Sequence, residues 1–366
     1  MRTFLELQNE IFHLLGNLSL SDAANANLVT SMKLRVNLIQ DDIENTEFMK
    51  PLLTTKGRFL TTAKYSTGTI SVTNNSKTIT GTGTSWTKSF KDRVIVFDDD
   101  DTVSYRIASV ASTTSATLDN EYAGDTNVLA TYNIYKDRYY LKRDVRGVMN
   151  MVDRENEQPL DIVSVFEGAN PYDNPVDTDN GDGPTKAIIL LDKNTYYSTG
   201  TIAITNGSAA VTGTTTDWTS EMVGMVFRVD SDSSDYEITA VGSTTSITFD
   251  RNYEGTTQAS GGTYKISPPG VFVIQLYPMP EAQLLFDYEY RYKLPRLVNN
   301  NDVSLVTKFS DMALVFGSIW LMKENEDVDP TGSDRYLKLY EMAKNKMSQQ
   351  TLELDELRQI IPYIYR

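Results

Sequence analysis

Cysteine is absent from this chain of 366 residues, and His13 is its only histidine. The fold therefore cannot depend on disulfides, and zinc sites built from thiolates or several imidazoles are excluded. Cys/His nucleophilic pairs are excluded for the same reason. A Ser/His/Asp triad would have to use His13, which stands beside Leu14 in an amphipathic segment without any supporting pattern. We interpret His13 as a surface or helix-packing residue.

Long hydrophobic runs are also missing. The most apolar window, residues 303–322, contains Lys308 and Asp311, and no window approaches 18 uncharged apolar residues. At the N-terminus, Glu6 and Glu10 interrupt the apolar positions, and the basic region and small-residue cleavage site of a signal peptide are lacking. The sequence predicts neither a membrane span nor a cleaved leader.

Basic residues are outnumbered, with 34 Lys and Arg against 49 Asp and Glu and a formal charge of -15. A surface that grips nucleic acid needs clustered Lys and Arg, so we expect this chain to repel duplex DNA. An apolar content of 40% nevertheless indicates a folded protein, and the length allows two or three domains with their own cores.

Motifs that would indicate catalysis or a cofactor are scarce. No G-x-x-x-x-G-K-[ST] occurs, and "GTGTSW" at 81–86 follows a Thr-rich stretch without a helix after it. The acidic runs 98–101 and 230–235 and the loop 177–183 lack EF-hand spacing, so we interpret the runs as hairpin turns and 177–183 as an interaction loop. We expect no catalytic centre, metal or cofactor. Calcium at the acidic runs and a glycan-processing enzyme with two binding modules stay open alternatives.

The strongest positive signal is an internal repeat. Residues 65–86 and 197–218 are identical at 14 of 22 positions, and the similarity continues so that each unit spans about 70 residues. We call residues 65–136 module 1 and residues 197–267 module 2. Alternating Ile and Val with Ser and Thr, followed by Asn-Asn or Asn-Gly turns, predicts short strands in a small barrel or sandwich. Trp86 and Trp218 match in position, and we interpret them as core anchors of the modules rather than as ligand-stacking residues.

Helical periodicity marks both ends of the chain. The spacing from Phe4 to Leu18 predicts one helix, and a second is expected from about Ser21, the two forming a hairpin. A further helix is expected after the capping candidate Asp302, with its apolar face running from Leu305 to Ile319. Its partner is expected to turn Tyr336, Tyr340, Ala343 and Met347 inward. Several apolar segments outside the repeats read as strands of one sheet.

These patterns together predict an α+β fold. We expect a discontinuous core of terminal helices and a small antiparallel sheet, carrying two inserted, homologous all-β domains, each a small barrel or sandwich. The expected divisions are 1–64 (core, helical hairpin), 65–136 (module 1), 137–196 (core, strands and loop), 197–267 (module 2) and 268–366 (core, strands, helix pair and tail).

With the modules removed, the remaining segments follow a recognisable order. They read "FLELQNEIFHLLGN", "RFLTTAKY", "YLKRDVRGV", "IVSVFEG", "LYPMP" with "YEYRYKLPRL", and "DRYLKLYEMAKNKM". This order resembles the head-to-tail adaptor (connector) proteins of tailed bacteriophages, particularly the portal-bound adaptors of the podovirus type. Lys142 stands where that family commonly has proline. The phrase "GTISVTNNSKTITGTGTSW" is separately similar to a small β domain of phage virion proteins.

The resemblance implies a structural virion protein that forms a ring, commonly of twelve copies, beneath the portal. Such a ring extends the DNA channel and helps to retain and release the packaged genome. The implied partners are the portal protein, other copies of the chain and the next tail component, a nozzle or tail protein, while duplex DNA passes through without specific binding. The implied location is the head-to-tail interface of the virion, after assembly in the host cytoplasm. The alternative is another tail or decoration protein whose paired modules bind carbohydrate or capsid protein.

The end of the chain is unusually apolar for a free tail. We hypothesise that it docks on the portal or on an adjacent subunit through Ile360, Ile361, Tyr363, Ile364 and Tyr365.

Overall fold

The computed structural model describes residues 1–16, 18–22, 25–98, 100–163, 183–191, 196–232, 234–325 and 327–364, with all of their side chains except those of 100–102 and 352–364. The fold is a mixed α+β arrangement in two compact units, one of Met1–Thr55 with Tyr290–Arg366 (unit 1) and one of Lys56–Glu289 (unit 2). The helices α1 to α4 are Phe4–Leu14, Ala26–Glu44, Asp311–Glu324 and Ser333–Ile364. The strands β1 to β22 are, in chain order, Thr54–Leu60, Thr69–Val72, Thr78–Thr82, Val94–Phe97, Asp100–Ser112, Ser115–Leu118, Asn127–Ala130, Tyr132–Tyr135, Arg138–Tyr140, Val145–Asp153, Gln158–Pro159, Asp161–Val163, Lys186–Leu191, Thr201–Ile204, Ala210–Thr214, Val226–Val229, Asp235–Ser243, Ser246–Phe249, Gln258–Gly262, Tyr264–Ser267, Phe272–Tyr277 and Leu285–Tyr292.

Helix α1 begins with a capping box. The backbone N–H of Glu6 donates to the Thr3 hydroxyl at 3.3 Å, and the Thr3 N–H donates back to the Glu6 carboxylate at 2.7 Å. The helix ends at Leu14, and Gly16 beyond it has φ +123°. The expectation that Leu18 continues the helical face is therefore wrong, because the chain leaves the helix at a glycine that tolerates this backbone conformation.

The start of α2 also differs from the prediction. The helix begins at Ala26, not near Ser21. The Ser19 hydroxyl accepts from the N–H of Ser21 at 3.4 Å, and the Ser19 carbonyl accepts from Asn25 Nδ2 at 2.9 Å. The polar side chains here satisfy a turn before the helix begins, which is the usual competition between short polar residues and helical backbone.

The helix predicted after Asp302 is split in two. A short 3-10 helix follows Ser304, whose hydroxyl accepts from the Val306 N–H, and α3 begins after Ser310, whose hydroxyl accepts from the Ala313 N–H. Asp302 is not a helix cap. Its carboxylate accepts from two backbone N–H groups of the preceding loop. Each of the two serines is an N-cap, so one begins the 3-10 helix and the other begins α3.

Helix α3 is the centre of unit 1. It packs against α1, α2 and α4, and most of its circumference is apolar and buried, as expected for a helix enclosed by others. Helices α1 and α2 both pack on α3, and the hairpin predicted for them stays a prediction. In α4, Tyr340 and Met347 are buried and Tyr336 and Ala343 are partly buried, which confirms the predicted inward face.

In unit 2, the strands outside the modules form two sheets. Their orders are β1-β22-β10-β11 and β12-β13-β21-β9, in which β12 and β13 pair in parallel and β21 pairs antiparallel with both β13 and β9. The prediction of a single sheet is wrong because the chain turns between β9 and β10, and again at Pro278 and Pro280 between β21 and β22. Proline cannot donate to a strand ladder, so β21 ends before Pro278 and β22 joins the other sheet.

Each module contributes a seven-stranded sheet. The orders are β7-β2-β3-β6-β5-β4-β8 in module 1 and β19-β14-β15-β18-β17-β16-β20 in module 2, so every strand has its counterpart at the same place in the other copy. In both modules the first residue pairs with a residue close to the last one, since Tyr65 bridges Ile134 and Tyr197 bridges Ile266. The chain therefore enters and leaves each module at one point.

Candidate functional site: the contact between the two modules

The repeated aromatic residues of module 1 bond to one another and to backbone. Trp86 is 2% exposed, and its indole Nε1 donates to the Tyr132 hydroxyl at 3.0 Å. That hydroxyl donates in turn to the Thr67 carbonyl at 2.6 Å. The Tyr65 hydroxyl accepts from the backbone N–H of Ser85 at 2.8 Å. These signature residues satisfy their polar groups inside the module.

Module 2 repeats this network at the equivalent positions. Trp218 is 1% exposed and donates through Nε1 to the Tyr264 hydroxyl at 3.1 Å, which donates to the Thr199 carbonyl at 2.6 Å. The Tyr197 hydroxyl accepts from the backbone N–H of Asp217 at 2.6 Å. Burial disfavours the phenolate and raises the pKa of Tyr264, so the hydroxyl stays protonated and able to donate.

One pair of glycines in the repeated phrase is explained by the same geometry. Gly68 and Gly200 have φ of +83° and +81°, and a Cβ atom there would lie 2.5 Å from the Thr82 carbonyl and 2.4 Å from the Thr214 carbonyl. Only glycine fits both the backbone conformation and the space. The positions that are identical in the two modules therefore serve the fold of the module.

The described residues of the acidic runs lie in hairpins, as the sequence indicated. Strands β4 and β5 pair antiparallel around the first run, and β16 and β17 around the second. Asp98 accepts from Asn133 Nδ2 at 2.8 Å, and Asp232 accepts from the Tyr236 hydroxyl at 3.0 Å. Within the described part of the chain, no group of three His, Asp or Glu side chains is placed to hold a metal ion. Of the loop 177–183, all but Gly183 lies outside the described residues.

The two modules touch through charged side chains. We define the inter-module contact as Lys88, Arg93 and Lys136 of module 1 with Asp217 and Glu221 of module 2. Arg93 Nη2 donates to Glu221 Oε1 at 2.7 Å, and Lys136 Nζ donates to Glu221 Oε2. Lys88 Nζ pairs with the Asp217 carboxylate, but both of these side chains are nearly half exposed. The Glu221 pairs are therefore the stronger part of the contact.

Burial strengthens the attraction at Glu221. The side chain of Arg93 is 9% exposed, and its guanidinium lies 4.6 Å from the centre of the Phe90 ring. Burial alone would raise the pKa of Glu221, but the charge of Lys136 and the hydrogen bonds from Lys136 and Arg93 outweigh it and hold the pKa below its ordinary value. Glu221 is thus an anion at neutral pH, held between two cations from the other module.

Two more carboxylates connect the modules to the segment around β9. Asp137, 3% exposed, receives both Nη atoms of Arg106 from module 1, at 3.2 and 2.6 Å. Asp235 of module 2 receives Arg228 at 2.5 Å and Arg143, just beyond β9, also at 2.5 Å. Arg143 and Arg228 are more than half exposed, so their pairs with Asp235 are weaker than the more buried pair of Arg106 with Asp137.

These groups surround a cleft of about 1570 Å³, lined by both modules and by β9, β13 and β21. Its volume exceeds the roughly 300–1,000 Å³ typical of small-molecule pockets. The lining carries seven basic and seven acidic side chains, so the cleft has no net positive charge to attract a polyanion. The arrangement is that of a polar joint between the two modules.

The inter-module contact was missed at the sequence level, although a signal for it exists. Its five residues fall where the two copies differ. The module 2 counterparts of Lys88, Arg93 and Lys136 are Ser220, Met225 and Pro268, and the module 1 counterparts of Asp217 and Glu221 are Ser85 and Ser89. An alignment of the two copies, searched for positions at which only one copy has a charged residue, would have indicated the contact.

The predicted docking residues at the end of the chain fall outside what the structure describes. The backbone of α4 extends to Ile364, but the side chains of Ile360, Ile361, Tyr363 and Ile364, and all of Tyr365, lie outside the described residues.

None of the described helices is both long and apolar enough to cross a membrane. Comparison with protein-family models and with curated protein sequences finds no match.

Proposed function

We propose that this chain is a structural protein of a tailed-bacteriophage virion, a connector that forms a ring beneath the portal and joins head to tail. The ring extends the DNA channel and helps to retain the packaged genome until it is released. Its partners are the portal protein, neighbouring copies of the chain and the next tail component, a nozzle or tail protein, while duplex DNA passes through without specific binding. The role is structural rather than catalytic.

The observation that carries the proposal is the pair of matching modules held against each other by charge. Every repeated polar signature residue described above bonds inside its own module, and the five charged residues of the inter-module contact, which differ between the copies, bond to the other copy. Such a chain uses its polar groups to fix the positions of domains. That is what a virion scaffold requires, and it agrees with the resemblance of the remaining segments to phage connectors.

The proposal includes the architecture of one core interrupted twice. The backbone of Tyr65 exchanges two hydrogen bonds with Ile134, of 2.9 and 2.8 Å, and Tyr197 exchanges two with Ile266, both of 2.8 Å. Adjacent ends are the property that lets a domain be inserted into a loop without disturbing the host fold. Strands outside the modules pair across them, as β9 does with β21.

Oligomeric mass tests this function directly. We expect the purified full-length chain to form closed rings in negative-stain micrographs, with a mass near twelve times its 41.1 kDa. A variant lacking residues 352–366 should stay at lower mass, because the apolar end segment supplies part of the docking surface in this proposal. If the full-length chain is a monomer or a trimer even at high protein concentration, the connector function is contradicted.

A second candidate function is supported by one surface feature. Val128 and Leu129, on edge strand β7 of module 1, are 68% and 69% exposed, whereas module 2 carries Ala259 and Ser260 in the corresponding stretch. Adjacent exposed apolar residues on a sheet edge are typical of a contact surface. A trimeric tail or decoration protein that binds capsid protein or carbohydrate through its modules would fit this feature. A trimeric mass would favour that candidate.

A further inference from the structure

Apart from Lys136 at the end of module 1, the inter-module contact is made by the same segment of each module. In module 1 it involves the 3-10 helix Lys88–Phe90 with Arg93 after it, and in module 2 the 3-10 helix Ser220–Met222 with Asp217 before it. The backbone of the segment is also alike in both, since Asp92 and its counterpart Gly224 have φ of +65° and +82°. One face of a common module thus meets the same face of its sibling.

The positive and negative charges of the inter-module contact lie on different modules. All the cations of the contact lie on module 1 and both carboxylates lie on module 2. At each of these places the sibling has an uncharged residue. Two copies of the module 1 face would place Ser89 opposite Arg93 and Lys136, and two copies of the module 2 face would place Met225 and Pro268 opposite Glu221. In either case the contact would hold charges without an opposite partner, which opposes association.

We propose that the contact is a heterotypic recognition surface, by which a module of type 1 accepts a module of type 2 and rejects another of its own type. The partner that the surface fits is therefore the oppositely charged version of the same module. This specificity keeps the pairing unambiguous wherever several copies of the chain lie side by side. The inference concerns the modules alone and does not depend on the connector function.

The buried position of Arg93 makes this recognition more than a surface effect. The guanidinium is screened from water and Glu221 is its anionic partner, so an uncharged residue at position 221 leaves a cation without compensation in the contact. A second type 1 face, which has Ser89 at that place, would leave the same charge uncompensated.

The absence of cysteine makes the test direct, because two introduced cysteines carry the only spin labels. Thr80 and Thr212 are exposed repeat counterparts on β3 and β15. Thr80→Cys and Thr212→Cys in the full-length chain, diluted with unlabelled chain, give the intrachain distance by double electron–electron resonance. We expect one narrow distance distribution for the parent.

The decisive variants take their residues from the sibling module, so each module keeps a face that its own fold already supports. Asp217→Ser with Glu221→Ser gives module 2 the residues of module 1 and should lose the narrow distance. Lys77→Ala, also taken from the sibling, removes a charge from module 1 in the turn between β2 and β3 and should leave the distance unchanged.

Charge exchange separates recognition from simple loss of contact. The variant Glu221→Lys should lose the narrow distance distribution. The triple variant Glu221→Lys, Arg93→Glu, Lys136→Glu exchanges the charges and should restore the narrow distribution. The proposal is overturned if the Asp217→Ser, Glu221→Ser variant keeps the narrow distribution, or if the exchanged variant stays as broad as Glu221→Lys alone. Should Glu221→Lys fail to fold, the serine variant decides the question by itself.

Discussion

At the scale of single residues, the two modules provide a natural comparison of roles. The Trp and Tyr pair that forms one hydrogen bond in module 1 forms the same bond in module 2, within 0.1 Å. Identical residues thus mark what the module needs in order to fold. Residues that differ, such as Arg93 against Met225, mark what each copy does in this particular chain.

Removing one phenolic hydroxyl tests the first half of that statement. Tyr132→Phe leaves the buried Trp86 N–H without an acceptor and removes the hydroxyl that donates to the Thr67 carbonyl. We expect module 1 to lose about 1–3 kcal/mol of stability, the usual cost of buried unpaired groups. Hydrogen exchange of the β3 amides, read by mass spectrometry, measures this loss locally.

Two further variants make the result interpretable. Tyr264→Phe should reproduce the loss in module 2, because the same network is present there. Tyr196→Phe, on a ring that is 60% exposed, should change neither module. Equal protection in the parent and in Tyr132→Phe would show that the network does not stabilise the module.

At the scale of helices and strands, the sequence predicted what local pattern determines. The terminal helices, the repeated β texture and the inward face of α4 follow from periodicities within one element. The start of α2 and the break before α3 could not be predicted from periodicity. They depend on hydrogen bonds of Ser19 and Ser310 that form only in the folded chain. The division of strands into two sheets, and the inter-module contact, depend on pairings between distant segments.

A close helix crossing gives the prediction at this scale. Gly317 of α3 faces α2, where an added Cβ would lie 2.8 Å from Ile39 Cγ2. Alanine favours a helix over glycine, but forcing a methyl group into a filled core costs about 1–3 kcal/mol, so Gly317→Ala should destabilise unit 1. Faster hydrogen exchange in α2 and α3 checks this expectation.

The matched control is another glycine with room beside it. Gly147 in β10 has no atom within 4 Å of an added Cβ, so Gly147→Ala should leave the same amides unaffected. If Gly317→Ala slows exchange in α2 and α3, the gain in helix propensity outweighs the crowding, and the crossing is looser than its geometry indicates.

At the scale of the whole molecule, the chain combines rigid modules with charged joints. Glu221, Asp137 and Asp235 each lie between two cations, and each connects segments that are distant in sequence. Hydrophobic clusters stabilise each module separately, and we expect these carboxylates to set how the modules are placed. Acid should therefore act on the placement of the modules before it acts on their cores.

That expectation leads to a pH dependence of known sign. The pKa of Glu221 in the folded chain is lower than its ordinary value of 4.5, chiefly because Lys136 and Arg93 face it and overcome the effect of burial. A lowered pKa means that the contribution of Glu221 to pairing is complete above the ordinary value and is lost as pH falls through the folded value. The distance distribution between labels at positions 80 and 212 should stay narrow at pH 5 and broaden at more acidic pH.

The variant Glu221→Gln cannot ionise at this position, so its distance distribution should already be broad at pH 7. Any pH dependence that this variant keeps comes from the other carboxylates. If the parent and Glu221→Gln follow the same curve from pH 7 downward, Glu221 does not control the placement of the modules.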